Sequence, residues 1–297
     1  MNRLLWITVL LVAAVVLLGF STRISDTHYV DFIDGVALGW LNQDDGREHP
    51  MKGAYTVNKF GRNQDSDTTE DSIADISDFG GPIRCFTVPS AAAAIYISSD
   101  DAADAGLSVT VEALDANWKN ITIVQLLGAD TGATGTEFVQ LGSVDLLRVN
   151  RAYPTTTAAA GDIYIHIDSV DTAAKDGIPD TLLTDIVAMI DKAEQQTMQA
   201  CYSVPDNFDC LLYYYEVDNF DTIANAAGTF RIRAAINGGS ARTKMTATVA
   251  ESSYRFSSYG PPVRFVEKTD IELTNTGSQN NGSVTGRFDL MCVPNNI

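Results

Sequence analysis

Apolar and polar residues alternate with a period of two along much of this chain. The alternation is clearest at residues 109–112, 121–124 and 163–167, and stretches of small polar residues, such as 128–135, separate these runs. A period of two is typical of β-strands that bury one face, and short strands divided by turns are typical of antiparallel sandwiches and jelly rolls. The pattern therefore predicts an all-β fold.

One short motif occurs twice. The sequence CFTVP at residues 85–89 returns as CYSVP at residues 201–205, at an offset of 116 residues. Later strand-like runs recur in the same order: residues 107–113 are answered by 228–234, and residues 161–167 by 285–291. Recurrence at a nearly constant offset predicts two tandem copies of one β-sandwich, jelly-roll-like unit.

The run at residues 181–192 interrupts the β alternation. Pro179 and Asp180 precede it as a helix start, so the pattern favours a helix, with a short strand as the alternative. The predicted organisation is an N-terminal membrane-anchor helix at 1–23, a connector at 24–56, a first β-sandwich unit at 57–170, a linker with a helix at 171–194 and a second β-sandwich unit at 195–297.

The N-terminal segment is strongly apolar. Residues 4–20 form an uncharged run of 17 residues between Arg3 and Arg23, at the lower end of what crosses a bilayer as a helix. A cleaved signal peptide is the alternative, but residues 19–21 make a weak cleavage site, which favours an uncleaved anchor. The side chains predicted to contact lipid are Leu4, Trp6, Leu10, Val12, Val16, Leu18 and Phe20.

The chain has a net charge of -18, which limits the partners it can bind. Such an acidic chain is repelled by nucleic acid, so we expect no direct nucleic-acid partner. Acidic residues gather at 65–78, 100–104 and 168–191, where we expect solvated loops.

Metal and redox chemistry receive little support from the sequence. Cys85, Cys201, Cys210 and Cys292 include no CxxC pair, and the three histidines are scattered, which disfavours a zinc site. We predict that Cys85 and Cys201 are buried free thiols; a Cys210–Cys292 disulfide would require an oxidising compartment.

Enzyme signatures are absent from the sequence. It contains no GxSxG, HExxH, P-loop or dinucleotide-binding motif, so we predict that the protein is not an enzyme and uses no cofactor. An acidic loop is a weak candidate for calcium, although it lacks the EF-hand order of ligands. Its carboxylates are Asp168, Asp171, Asp176 and Asp180.

Four segments carry a resemblance to a known group of proteins. FGRNQD at 60–65, VTVEALD at 109–115, LRVNRAY at 147–153 and VEKTDI at 266–271 together resemble bacteriophage virion structural proteins that are common in marine phage genomes. The likeness extends over roughly residues 55–293. It implies a virion component and no catalytic residues.

The tandem repeat resembles the double jelly-roll major capsid proteins of icosahedral, membrane-containing phages. That resemblance implies a capsid protein that assembles as homotrimers into a shell over an internal membrane, and hence a location in the virion. Many members of that class lack a long N-terminal anchor, which leaves open a minor, membrane-tethered penton or spike protein. The alternative from another class is a membrane-anchored surface, adhesion or receptor-binding module that holds a glycan or calcium.

Overall fold

The computed structural model describes residues 53–76, 84–87, 89–129, 135–169, 177–179, 182–220, 227–250, 253–280 and 282–295. Contacts divide the chain into a unit formed by Met1–Tyr55 with Asn296–Ile297 and a second unit formed by Thr56–Asn295. The strands lie in the second unit, apart from Tyr55 at the start of the first strand.

Strands dominate the described residues. The first half contains β1 (Tyr55–Ser66), β2 (Asp71–Ser72), β3 (Tyr96–Ser99), β4 (Ser108–Asp115), β5 (Asn120–Leu126), β6 (Val139–Gln140), β7 (Leu146–Pro154) and β8 (Ile163–His166). A helical turn, α1 (Leu182–Asp185), leads into the second half. That half contains β9 (Ile186–Ile190), β10 (Cys201–Ser203), β11 (Phe208–Asn219), β12 (Ala227–Ile236), β13 (Arg242–Ala250), β14 (Ser253–Phe265), β15 (Thr269–Gly277) and β16 (Gly282–Pro294).

These strands form four sheets. Two have the orders β6-β3-β8-β9 and β5-β4-β7; the other two have the orders β1-β16-β11-β14 and β10-β15-β12-β13, with β2 also paired to β15. The pairs β3–β8, β4–β5, β11–β16 and β12–β15 are antiparallel. The all-β prediction is therefore confirmed.

The first two sheets share one hydrophobic core. Ile97 of β3 and Ile165 of β8 belong to the same buried cluster as Val109 and Val111 of β4. The alternation that predicted these strands has a direct cause, since the apolar residues face this cluster and the residues between them face away.

The other two sheets also contact each other. β15 contacts β16, and β13 contacts β14. Phe230 of β12, Leu273 of β15 and Phe288 of β16 are fully buried. All but the first two residues of β1 lie within the predicted first unit, yet β1 pairs with β16 in one of these sheets. The predicted unit boundaries and the tandem arrangement stay predictions.

A close backbone approach holds β1 in place. A Cβ atom at Gly61 would lie 2.0 Å from the carbonyl oxygen of Ile73 and 2.5 Å from the amide nitrogen of Ala200. Those two groups are hydrogen-bonded to each other, with the Ala200 amide donating over 2.9 Å. Glycine at position 61 therefore lets β1 cross this backbone contact without a side chain between them.

The prediction of free thiols is wrong. Cys85 and Cys201 form a disulfide with each other, and Cys210 and Cys292 form a second one. Cys85 lies in a turn, where the Thr87 amide donates to the Arg84 carbonyl over 3.1 Å, whereas Cys201 belongs to strand β10. The repeated motif thus provides both ends of one covalent link, which its apolar neighbours did not reveal.

The predicted helix at 181–192 is reduced to the turn α1. Residues 186–190 instead form β9, which pairs with β8 and is buried along its whole length. A strand buried on both faces shows no alternation, so periodicity could not separate it from a helix.

The acidic clusters are not uniformly solvated. Asp71, Asp75 and Asp104 are buried, at 1%, 3% and 3% exposure. The Asp104 carboxylate accepts hydrogen bonds from the Ser99 hydroxyl at 2.6 Å and from the Ala160 amide at 2.7 Å. At least this carboxylate therefore has a structural role that the expectation of solvated loops missed.

Candidate functional site

The most buried ion pair that the structure describes joins β7 to β15. The Nε and Nη2 atoms of Arg148 donate to the two carboxylate oxygens of Asp270 over 3.1 and 2.8 Å. The side chains are only 6% and 2% exposed. A bidentate pair of this kind fixes the relative orientation of the strands that carry it.

Arg148 is satisfied on its other sides as well. Its Nη1 atom donates to the carbonyl oxygens of Pro89 at 3.0 Å and Leu147 at 2.7 Å. Its guanidinium carbon lies 5.4 Å from the ring centroid of Phe86 and 5.7 Å from that of Trp118. The charge is thus surrounded by acceptors and aromatic faces rather than by water.

Ser203 of β10 and Asn150 of β7 extend the network. The Ser203 hydroxyl donates to Asp270 over 2.5 Å, and the Ser203 amide donates to the Asn150 side-chain oxygen over 2.9 Å. Lys59 of β1 donates from its amino group to the Asn150 carbonyl oxygen. We call Lys59, Arg148, Asn150, Ser203 and Asp270 the polar junction.

Within the polar junction, the side-chain amine of Lys59 has a strongly lowered pKa. Burial, and secondly the positive charge of Arg151, lower the pKa of Lys59 to about 7, although Glu112 acts in the opposite direction. Near neutral pH the amine is therefore divided between its charged and neutral forms. Either form can donate to the Asn150 carbonyl, so the contact does not depend on the charge.

A polar cleft of about 370 Å³ lies beside the junction. Its lining includes Arg84, Arg148, Arg233, Asp270 and Glu272. Arg84 donates to Glu272 over 3.0 Å, and Arg233 forms an ion pair with the nearby Glu70. Charges paired in this way hold segments together and leave little free charge for a ligand.

The pKa of Glu70 reflects both its burial and the neighbouring arginines. Burial opposes its ionisation, but the hydrogen bond from Thr274 and the positive charges of Arg84 and Arg233 hold the pKa of Glu70 below its ordinary value. The carboxylate is therefore ionised at neutral pH and available to all three partners.

Of the four predicted calcium candidates, one lies among the described residues, and the prediction stays a prediction. Asp168 follows β8 and is half-buried, whereas Asp171, Asp176 and Asp180 lie outside the described residues. Among the residues that the structure describes, there is no group of three or more His, Cys, Asp or Glu side chains arranged to hold a metal ion.

The predicted anchor also lies outside the described residues, from Leu4 to Phe20. In the part of the chain with an assigned structure, no helix has the length and apolar character needed to cross a bilayer. Of the scattered histidines, His166 pairs with Tyr96 across β3 and β8, and its Nε2 atom lies 3.1 Å from the Ser98 hydroxyl.

Sequence reasoning did not find the junction. Its residues are isolated in the sequence, and the available signal was the charge of Arg148 and Asp270 inside strand-like runs. A charge within a strand run indicates either a solvent-facing position or a buried partner, and the partner here is 122 residues away.

Comparison with known proteins gives loose structural likenesses. No protein-family model matches the chain, and no curated protein does. The chain is similar to a structure of the cowpea mosaic virus top component, with 8% identity, coverage of 69% of this chain and 84% of that chain, and a TM-score of 0.19. It is also similar to the infectious bursal disease virus VP2 subviral particle, with 9% identity, coverage of 90% and 78%, and a TM-score of 0.23. Superpositions this loose establish neither a shared fold nor a shared function.

Proposed function

We propose that the protein is a viral structural protein, and specifically a capsid protein whose homotrimers build an icosahedral shell over an internal membrane. The observation that carries the proposal is the location of the polar junction. Its residues Arg148, Asn150 and Asp270 fall inside the segments 147–153 and 266–271, which resemble phage virion structural proteins. The resemblance therefore concerns residues that join strands, as expected of a building block.

The recurrence of strands in the two halves supports a tandem, double jelly-roll design. β4 and β12, which contain the recurring runs 107–113 and 228–234 in large part, are both interior strands of their sheets. β8 and β16, from the runs 161–167 and 285–291, are also interior strands. Interior positions for both members of each pair are what duplication of one unit would produce. The short motif itself does not keep its setting, since Cys85 lies in a turn and Cys201 lies in β10.

Two covalent links favour a role in a shell. The disulfides close loops of 116 and 82 residues, and each restricts the unfolded chain more than the folded one. The proposed role is assembly without a catalytic step, and the body that assembles must keep its shape while its neighbours bind.

The apolar run at residues 4–20 is the proposed contact with the membrane. As a helix it would be about 26 Å long, slightly shorter than a hydrocarbon core of about 30 Å. Arg3 and Arg23 would reach the headgroups at its ends. Repeated at every subunit of a shell, even a shallow insertion would hold shell and bilayer together.

Assembly of the purified full-length chain on lipid vesicles tests the proposal. Electron microscopy and flotation should show regular closed particles that float with the lipid, and native mass measurement in detergent should show trimers. A chain that stays monomeric on vesicles, and is retained by a glycan array or binds calcium, would instead favour the surface-module alternative.

A further inference from the structure

Among the described residues, strand β5 has a partner strand on one side alone and is an edge of the sheet β5-β4-β7. At its two ends, the Lys119 carbonyl accepts from the Asp115 amide at 3.0 Å, and the Leu127 amide donates to the Leu107 carbonyl at 2.9 Å. Lys119 and Leu127, both odd-numbered, thus direct their backbone groups toward β4. Since backbone groups alternate between the two sides of a strand, those of the even-numbered residues point to the free edge. These residues are Asn120, Thr122, Val124 and Leu126.

The same strand exposes large apolar side chains. Val124 and Leu126 are 61% and 57% exposed, whereas Ile121 and Ile123 pack against the core of the first two sheets. The strand therefore offers a row of backbone groups and an apolar outer surface at one edge. The Leu126 carbonyl in this row accepts from the Gln125 side-chain amide over 3.0 Å, and pairing with another strand would replace that bond. Such an edge readily pairs with another chain unless a charge, a proline or a bulge prevents it.

None of those protective features occurs in β5. Residues 120–126 contain no charged residue and no proline, and β5 pairs with β4 without a register shift. The edge strand β13, by contrast, carries Arg242 and Lys244, and β14 carries two arginines and the prolines at 261–262. An edge left unprotected beside protected ones is suited to a specific partner.

We propose that β5 pairs antiparallel with β5 of a second copy of this chain, about a two-fold axis that passes beside Ile123. Thr122 then lies opposite Val124 of the second copy, and Asn120 lies opposite Leu126. The even-numbered residues that point to the free edge exchange their backbone hydrogen bonds in this register. The inference rests on the proposed function and specifies one contact by which subunits associate.

Charge favours a second copy as the occupant. Two chains of net charge -18 repel each other, so their contact is best formed by an uncharged surface. The ends of β5 are complementary: exposed Lys119 precedes it, and exposed Glu137 lies beside Gly128, where an added Cβ would be 2.8 Å from the Glu137 Cβ. Antiparallel pairing brings Lys119 of each copy to the end that carries Glu137 of the other.

Two matched substitutions test the pairing. Thr122→Lys puts a charge on the free edge of β5, and Thr246→Lys puts the same charge on an exposed position of the edge strand β13. Sedimentation velocity of the full-length protein over a range of concentrations should show self-association at least ten-fold weaker for Thr122→Lys and unchanged for Thr246→Lys. Lys119→Glu and Glu137→Lys should each weaken association, and the double variant should restore it.

Hydrogen exchange resolved to single amides tests the register without relying on a variant that folds. On association, the amides of Thr122, Val124 and Leu126 should become protected, while those of Ile121 and Ile123, already directed at β4, should change little. If the wild type assembles while these amides stay unprotected and Thr122→Lys assembles equally well, the β5 pairing is wrong and the shell function stands. If the wild type does not self-associate at any concentration, both are wrong.

Discussion

Arg148 and Asp270 form a bidentate ion pair between β7 and β15, although they lie 122 residues apart in the sequence. Both side chains are almost fully buried. A buried pair of this kind adds little stability compared with well-packed apolar residues. Removing one partner is nevertheless strongly destabilising, because the other charge stays buried and unpaired. It also specifies one arrangement of the two strands, which is what the proposed assembly requires.

Arg148→Met should lower the free energy of unfolding by about 3–5 kcal/mol, because it leaves the Asp270 carboxylate buried without its counter-charge. Chemical denaturation of the full-length protein measures the change. The double variant Arg148→Met with Asp270→Leu should recover a large part of the loss, since it removes both charges together.

Arg287→Met is the matched control for that experiment. Arg287 and Glu216 form an ion pair at 3.6 Å with side chains 45% and 38% exposed, so water screens the interaction. Arg287 also lies 3.5 Å from Asp289 and 4.8 Å from the Tyr214 ring centroid, but its own side chain is open to water, so its loss should cost about 1 kcal/mol or less. Equal effects of the two arginine substitutions would show that the Arg148 pair is not buried as described.

The structure predicts that all four cysteines are bonded in two disulfides. A thiol assay on the unreduced, denatured protein should find no free cysteine, and peptide mapping should find the links 85–201 and 210–292. Replacing Cys85 and Cys201 together by serine should cost about 2–5 kcal/mol, since the 116-residue loop is no longer closed in the unfolded chain. Four reactive thiols in protein isolated without reductant would contradict the pairing.

The stability of the protein should depend on the protonation of Asp71. Burial, and secondly the negative charge of Asp67, raise the pKa of Asp71 from 3.8 to about 7. Between these values the folded protein holds a proton that the unfolded chain has released, so this group lowers stability as pH rises from about 4 to about 7.

Asp71→Asn should therefore stabilise the protein at pH 8 by about 1 kcal/mol or more, and the gain should disappear toward pH 4. Thermal unfolding over this pH range measures the difference. Asp145→Asn removes the same charge from an exposed position and is the matched control. A gain that is the same at both pH values would exclude the titration of Asp71 as its cause.

Gly61→Ala should destabilise the fold by about 1–3 kcal/mol or more, because the new methyl group would meet the Ile73 and Ala200 backbone. Gly286→Ala is an informative comparison. There the nearest atom is a terminal methyl of the Leu273 side chain, at 2.4 Å, and a side-chain end shifts at lower cost than the backbone. Denaturant midpoints should thus fall further for Gly61→Ala, and the reverse order would contradict the backbone crossing.

Particular residues show how far the sequence predicts this structure. The alternation at β4 was sufficient, because Val109, Val111 and Ala113 face a core while the residues between them do not. The alternation fails at β9, where all five residues are buried. Periodicity detects a difference between two faces, and β9 has none.

Contacts between residues that are far apart in the sequence could not be predicted from it. Cys85 and Cys201 sit in similar motifs, and spacing along the chain carries no information on whether two thiols meet in space. The same holds for Arg148 and Asp270, each a single charge in its strand run. The resemblance to virion proteins nevertheless included the segments that hold both residues, so it indicated the region without indicating the contact.

Charge-detection mass spectrometry of the full-length chain, assembled on lipid and then released in mild detergent, tests the central claim most directly. The account predicts a narrow peak at a large multiple of the 32.0 kDa subunit mass, corresponding to a closed shell, together with trimers as the smaller species. A spectrum that contains monomer alone at every concentration, with or without lipid, would contradict the claim that this chain is a capsid protein.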